Sequence, residues 1–128
     1  MPRPSRAKEL LEFEIAFYER LLQNHPNFVE ALIALGEAYT RQGWYDKGLA
    51  IDRQLTELRA TDPVVWYNLA CSLSLVNRLD DATEALRQAI ALGYDDFLFL
   101  SRDPDLATLR RSPQFRRLLE TLSPSKSV

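Results

Sequence analysis

Two stretches decide the fold: VEALIALGEAY, Val29 to Tyr39, and PVVWYNLACSL, Pro63 to Leu73. Set one on the other at an offset of 34 residues, they bring Leu32 opposite Trp66, Leu35 opposite Leu69, Gly36 opposite Ala70 and Tyr39 opposite Leu73. The register continues downstream, with Gly48 opposite Ala82 and Leu58 opposite Leu92. The positions that agree are the large and small apolar ones, while the polar positions mostly differ. That is the mark of a repeat held by packing, in which each unit buries its face only against its neighbours.

Within each unit the apolar spacing is helical. Leu32, Leu35, Gly36 and Tyr39 recur every three or four residues, and Gly43 breaks the pattern. A second helix is predicted from about Tyr45 to Arg59, with Leu49, Leu55 and Leu58 on one side and Asp52 interrupting the stripe. The next unit repeats the plan with Trp66, Leu69 and Leu73, a turn near Asn77, then Leu79, Ala82, Leu86, Ala89 and Leu92. Helix starts carry their own chemistry. Asn27 with Glu30 has capping-box spacing. Asp62, Asp103 and Ser112 each place a side-chain acceptor before a proline, the residue favoured at the first helical position. Gly93, just past Leu92, is where a left-handed helix stop belongs.

Working outward, Leu11, Ile15, Tyr18 and Leu22 give an N-terminal capping helix over residues 9–26. Repeats follow at 29–62 and 63–94, then a C-terminal capping segment at 95–122 and a tail at 123–128. In the last segment Phe97 to Leu100 is expected to bury against the preceding helix, and a final helix is expected to turn Phe115, Leu118, Leu119 and Leu122 inward. The fold class is therefore all-α, a short helical solenoid in one domain, and 128 residues with 46% hydrophobic content suffice for its core.

Charge and composition exclude several functions. Residues 9–101 carry seven basic and fifteen acidic side chains, a net of −8, whereas residues 102–128 carry a net of +3. An acidic body with basic ends argues against a general nucleic-acid binder, which needs a continuous basic face. No apolar run has the length of a membrane span or follows the basic start as an export signal would. Cys71 is the single cysteine, which rules out an internal disulfide and makes a cytoplasmic setting the default expectation. No cofactor is indicated, because the four glycines never cluster into a phosphate loop. His25, the single histidine, sits before Pro26 at a helix end, and the pairs Asp80-Asp81 and Asp95-Asp96 sit at helix starts, where acids favour the positive dipole end. Neither catalysis nor a metal site is expected.

These residues resemble the tetratricopeptide repeat family, whose units are 34-residue helix-turn-helix pairs. The resemblance rests on L-x-x-L-G-x-x-Y at Leu32 to Tyr39, W-Y-N-L-A at Trp66 to Ala70, the turn glycine Gly43, and D-D-A-x-x-A-L-R-x-A-I at Asp80 to Ile90. Residues 13–27 are similar to the second helix of a preceding unit, and Gly93 to Phe115 is similar to the closing segment that follows such repeats in many bacterial proteins. Gly48 and Asp52 depart from the pattern, standing where alanine and a large apolar residue are usual.

The resemblance implies a right-handed stack in which the first helix of each unit lines a concave groove suited to a peptide or helix. That lining is expected to be Ile33, Glu37, Thr40 and Arg41 from the first unit and Tyr67, Asn68, Cys71 and Leu75 from the second. In the alternative reading Tyr67, Cys71 and Leu75 pack under the C-terminal segment. Asn68 matches one position of the clamp by which some members hold a partner's terminal carboxylate. Ile33 and Glu37 stand where that clamp needs Lys and Asn, so a basic or apolar partner suits the groove better. Arg110, Arg111, Arg116 and Arg117 form one dense basic cluster, readable as a patch for an acidic partner or as a solvated face. The expected function is a non-catalytic adaptor or assembly factor that binds protein, with self-association into a homo-oligomeric scaffold as the rival and a regulatory enzyme subunit as the remote one.

Overall fold

The computed structural model describes residues 5–122, which form eight α-helices and no strand. The helices are α1 (Arg6–Asn24), α2 (Val29–Gln42), α3 (Tyr45–Leu58), α4 (Pro63–Leu75), α5 (Leu79–Ala91), α6 (Phe97–Leu100), α7 (Ala107–Arg110) and α8 (Pro113–Leu122), with a 3-10 turn at Pro104–Leu106 before α7. From α1 to α5 each helix packs on the next, and the segment after α5 folds back so that the 3-10 turn and α7 lie on α4 while α8 lies on α5. The result is an all-α, right-handed solenoid closed by capping helices at both ends.

The 34-residue period is written into the backbone as well as the core. At the end of α2 the amide of Gly43 bonds to the carbonyl of Thr40 and that of Trp44 to Tyr39; thirty-four residues on, Asn77 bonds to Ser74 and Arg78 to Leu73. Both turns close on a left-handed residue, Gly43 at φ 84° and Asn77 at φ 63°, the helix stop that satisfies orphan carbonyls. Gly93, at φ 113°, ends α5 the same way. Gly48 has a packing reason to lack a side chain: a Cβ there would lie 3.2 Å from the Thr40 hydroxyl, so α2 and α3 meet closely at this point.

Of the predicted helix starts, three are capped as expected. Asp62 accepts from the amide of Val64 at 2.9 Å, Asp103 from Asp105 at 3.0 Å, and Ser112 from Phe115 at 3.1 Å. Asn27 does not cap α2. Its side-chain oxygen accepts instead from Gln54 of α3, 3.2 Å away, and Phe28 takes the cap position without a side-chain bond. The first helix begins at Arg6 rather than residue 9, because Ser5 caps it through the amide of Lys8.

The C-terminal segment corrects two expectations. Phe97, Leu98 and Phe99 do not bury; they are 50%, 65% and 49% exposed, and α6 is held by Leu100, by Asp96 accepting from the amide of Phe99 and by Arg110 donating to the carbonyl of Leu100. A four-residue helix has one fully inward position, Leu100; Leu98 faces out, and Phe97 and Phe99 are half-exposed at the edges of two hollows. In α8, Phe115 and Leu118 are inward, whereas Leu119 and Leu122 are 47% and 37% exposed, because among the described residues no further helix covers that flank. The main core runs through the second repeat into the cap, joining Leu69, Leu73 and Leu86 with Leu106, Leu109 and Leu118.

Candidate functional site

On the concave side, α2 and α4 and the returning C-terminal segment enclose an open groove of about 370 Å³. Helical spacing explains its lining: Ile33, Glu37, Thr40 and Arg41 share one face of α2, and Tyr67, Asn68, Cys71 and Leu75 share one face of α4. All the residues expected from the sequence meet there. They are joined by Asp52 and Leu55 from α3, Ser72 from α4, and Phe99, Asp103 and Asp105 from the C-terminal segment.

The two alternatives for α4 are both realised, in different residues. Tyr67 and Cys71 are buried beneath the C-terminal segment, while Asn68 and Leu75 are partly open to the groove. The Tyr67 hydroxyl donates to Asp103 at 2.6 Å and its ring stacks on Tyr94 at 4.3 Å. The Cys71 thiol also points at the Asp103 carboxylate, 3.6 Å away. These contacts make Tyr67 and Cys71 the floor of the groove and Phe99, Asp103 and Asp105 one of its walls. Burial, reinforced by Asp103, holds the Tyr67 hydroxyl and the Cys71 thiol protonated far above their ordinary ranges, so neither is a ready nucleophile.

The groove's electrostatics are acidic. Four carboxylates, Glu37, Asp52, Asp103 and Asp105, line it against the single base Arg41, which is itself bonded to Glu14 of α1 at 2.6 Å. Asp52 sits where α3 meets α4 and accepts a short hydrogen bond from the Ser72 hydroxyl. Burial pushes its pKa up to about 6, the Ser72 bond opposes the shift and the charge of Glu37 adds to it. Asp105 is raised in the same direction by burial and then by Asp103. Sequence reading passed over Asp52, Asp103 and Asp105 as groove residues. The signal for Asp52 was present, since a carboxylate that interrupts an apolar helical stripe must be buried or turned aside; Asp103 and Asp105 reach the groove only through the long-range return of the chain.

The remaining candidates separate. Arg110 is half-buried and braces the turn before α7, donating to the carbonyls of Leu100 at 3.0 Å and Asp103 at 2.5 Å. Arg111, Arg116 and Arg117 are exposed. Asp81 pairs with Arg78 at 2.7 Å, Asp80 accepts from Gln114, and Asp96 caps α6. His25 is exposed at the end of α1. Among the described residues no three His, Cys, Asp or Glu side chains are grouped to hold a metal ion, and no helix is long and apolar enough to cross a membrane.

Known proteins share this pattern. Two family profiles, both of the tetratricopeptide repeat, match residues 17–50 and 63–92. A chloroplastic protein of Arabidopsis thaliana is 33% identical over 93 residues, which cover 70% of this chain and 28% of the relative. TPR repeat-containing protein MJ1428 of Methanocaldococcus jannaschii is 31% identical over 61 residues, 48% of this chain and 11% of the relative. This chain thus spans about a quarter or less of the length of these relatives. Among solved structures, MamA 41-end from Desulfovibrio magneticus RS-1 superposes with a TM-score of 0.64 at 16% identity, over 89% of this chain and 67% of that one, a likeness of fold. With the period, the left-handed turns and the two profile matches in agreement, the chain belongs to the tetratricopeptide repeat family.

Proposed function

We propose that the chain is a non-catalytic protein-interaction module, an adaptor or assembly factor, whose concave groove takes a basic or apolar peptide or helix. Tetratricopeptide repeats generally mediate contacts between proteins, and a preformed groove lowers the ordering cost of holding an extended or helical segment. The observation that carries the reading is the match of shape and sign. Apolar Ile33, Leu75 and Phe99 alternate with Glu37, Asp52, Asp103 and Asp105, and the one base present is already neutralised by Glu14. A cationic segment gains attraction along the whole groove, whereas an acidic one meets like charge. The cap belongs to the site, because Phe99, Asp103 and Asp105 supply one wall.

The test uses two designed amphipathic helical peptides, one carrying Lys on its polar face and the other Glu, titrated by calorimetry. The Lys peptide is expected to bind, and the Glu peptide to bind at least about tenfold more weakly. Ile33→Asp combined with Glu37→Lys should cost the Lys peptide about tenfold or more in affinity, because it removes an apolar contact and reverses a charge. Both positions are exposed, so the far-ultraviolet circular dichroism should be unchanged. Equal affinity for the two peptides, or a variant that binds the Lys peptide as before, refutes the assignment.

A further inference from the structure

Two of the four groove carboxylates, Asp52 and Asp103, are buried, at 9% and 6% exposure. Their oxygens are employed differently. Asp103 is fully engaged: one oxygen accepts from Tyr67 and Cys71, the other from the amide of Asp105. Asp52 is half engaged. Its Oδ2 accepts from the Ser72 hydroxyl, whereas its Oδ1 has no hydrogen-bond partner among the described residues and is not sealed off from solvent, so it opens onto the groove. Gly36 of α2 stands beside that oxygen. A Cβ there would lie 3.6 Å from Oδ1, and glycine leaves that side open.

The other charged and titratable groups of the groove leave the Asp52 charge unrelieved. From α2, Glu37 adds like charge, and Arg41 is already bonded to Glu14. From α4 come the Ser72 hydroxyl and the protonated Tyr67 and Cys71; from the C-terminal segment come two more acids, Asp103 and Asp105. On α3 itself Asp52 stands between Leu49 and Leu55, both buried. A buried carboxylate with an open oxygen and no base to pair with costs the free chain stability, and a cation brought from outside relieves that cost.

We propose that Asp52 Oδ1 and Glu37 together hold the ammonium group of one lysine of the bound segment, so that this lysine is the partner's anchor in the groove. The inference rests on the reading of the groove as the binding surface and adds the residue that fixes the partner's register. Lysine fits better than arginine. With Oδ2 taken by Ser72, the two-pronged bond of a guanidinium to a carboxylate is not available at Asp52, whereas an ammonium bonds one oxygen and turns its remaining protons to Glu37 or water. Its four-carbon stem suits a floor that Leu55 lines beside the buried acid.

Calorimetry of the whole chain with the Lys-bearing helical peptide tests it. Asp52→Asn keeps an acceptor for Ser72, so it should fold and melt no lower than the wild type, yet bind the peptide at least about tenfold more weakly. A peptide set with glutamine in place of one lysine at a time leaves the protein unaltered. One position should cost the wild type about tenfold, and the same change should cost Asp52→Asn no more than about twofold, the coupling expected of two groups in contact. Arginine at that position should bind several-fold more weakly than lysine. Between about pH 5 and pH 7 the wild-type affinity should rise about tenfold as Asp52 ionises, and most of that rise should be missing from Asp52→Asn. Undiminished binding by Asp52→Asn, or an equal loss at every lysine of the peptide, overturns the anchor and leaves the groove standing; a wild-type chain that does not take the Lys peptide at all overturns both.

Discussion

Replacing Leu109 with alanine is expected to lower the free energy of unfolding by about 2–5 kcal/mol, as much as Leu86→Ala inside the second repeat. Both side chains are fully buried, and they belong to one core that also contains Leu69, Leu73, Leu106 and Leu118. The amide of Leu109 is tied to the Ser74 hydroxyl of α4 at 3.3 Å, so the cavity left by the truncation cannot close by sliding α7 along the stack. Urea unfolding followed by circular dichroism gives the value, with Leu119→Ala as the control. Leu119 is 47% exposed, and its truncation should change stability by no more than about 0.5 kcal/mol. A small effect at Leu109 would mean that the cap is an appendage, and the wall it lends the groove would lose its support.

The second large effect is a gain. Asp52→Asn is expected to stabilise the protein near neutral pH by up to about 3 kcal/mol, the equivalent of a shift from 3.8 to about 6 in a buried carboxyl. Asparagine keeps an oxygen for the Ser72 hydroxyl and removes the buried charge. The sign follows from proton binding. The folded carboxyl has the higher pKa, so between about pH 4 and pH 6 the folded state holds more protons than the unfolded one. The stability this site contributes is full below pH 4 and is lost as the pH rises through 6. The difference between the variant and the wild type should therefore be largest above pH 6 and close toward pH 4, as read from melting curves across that range. A gap that widens on acidification would contradict the burial of an ionised Asp52.

What the sequence made legible is what local chemistry decides. Gly43 and Asn77 mark the two hairpin turns because a left-handed residue must stand there, and Asp62, Asp103 and Ser112 cap helices through partners two or three residues away. The lining of α2 and α4 could be read because helical spacing fixes which side chains share a face. The failures share a cause in contacts between distant residues. Gln54, twenty-seven positions on, diverts Asn27 from its cap. The Tyr67–Asp103 bond spans thirty-six positions and brings two acids into the groove wall. Phe97 to Phe99 looked buried because apolar composition demands a partner, yet among the described residues none covers them fully, and Phe99 meets only the ring of Tyr67, thirty-two positions back.

That the concave groove is the binding surface is tested most directly by amide chemical-shift mapping of the labelled protein during titration with the Lys-bearing helical peptide. The largest shifts are predicted along α2 and α4, at Ile33, Glu37, Asn68 and Leu75, and at Phe99 and Asp105 across from them. Shifts confined to α5 and α8, or none at all when the peptide is in excess, would place the partner elsewhere and contradict the account.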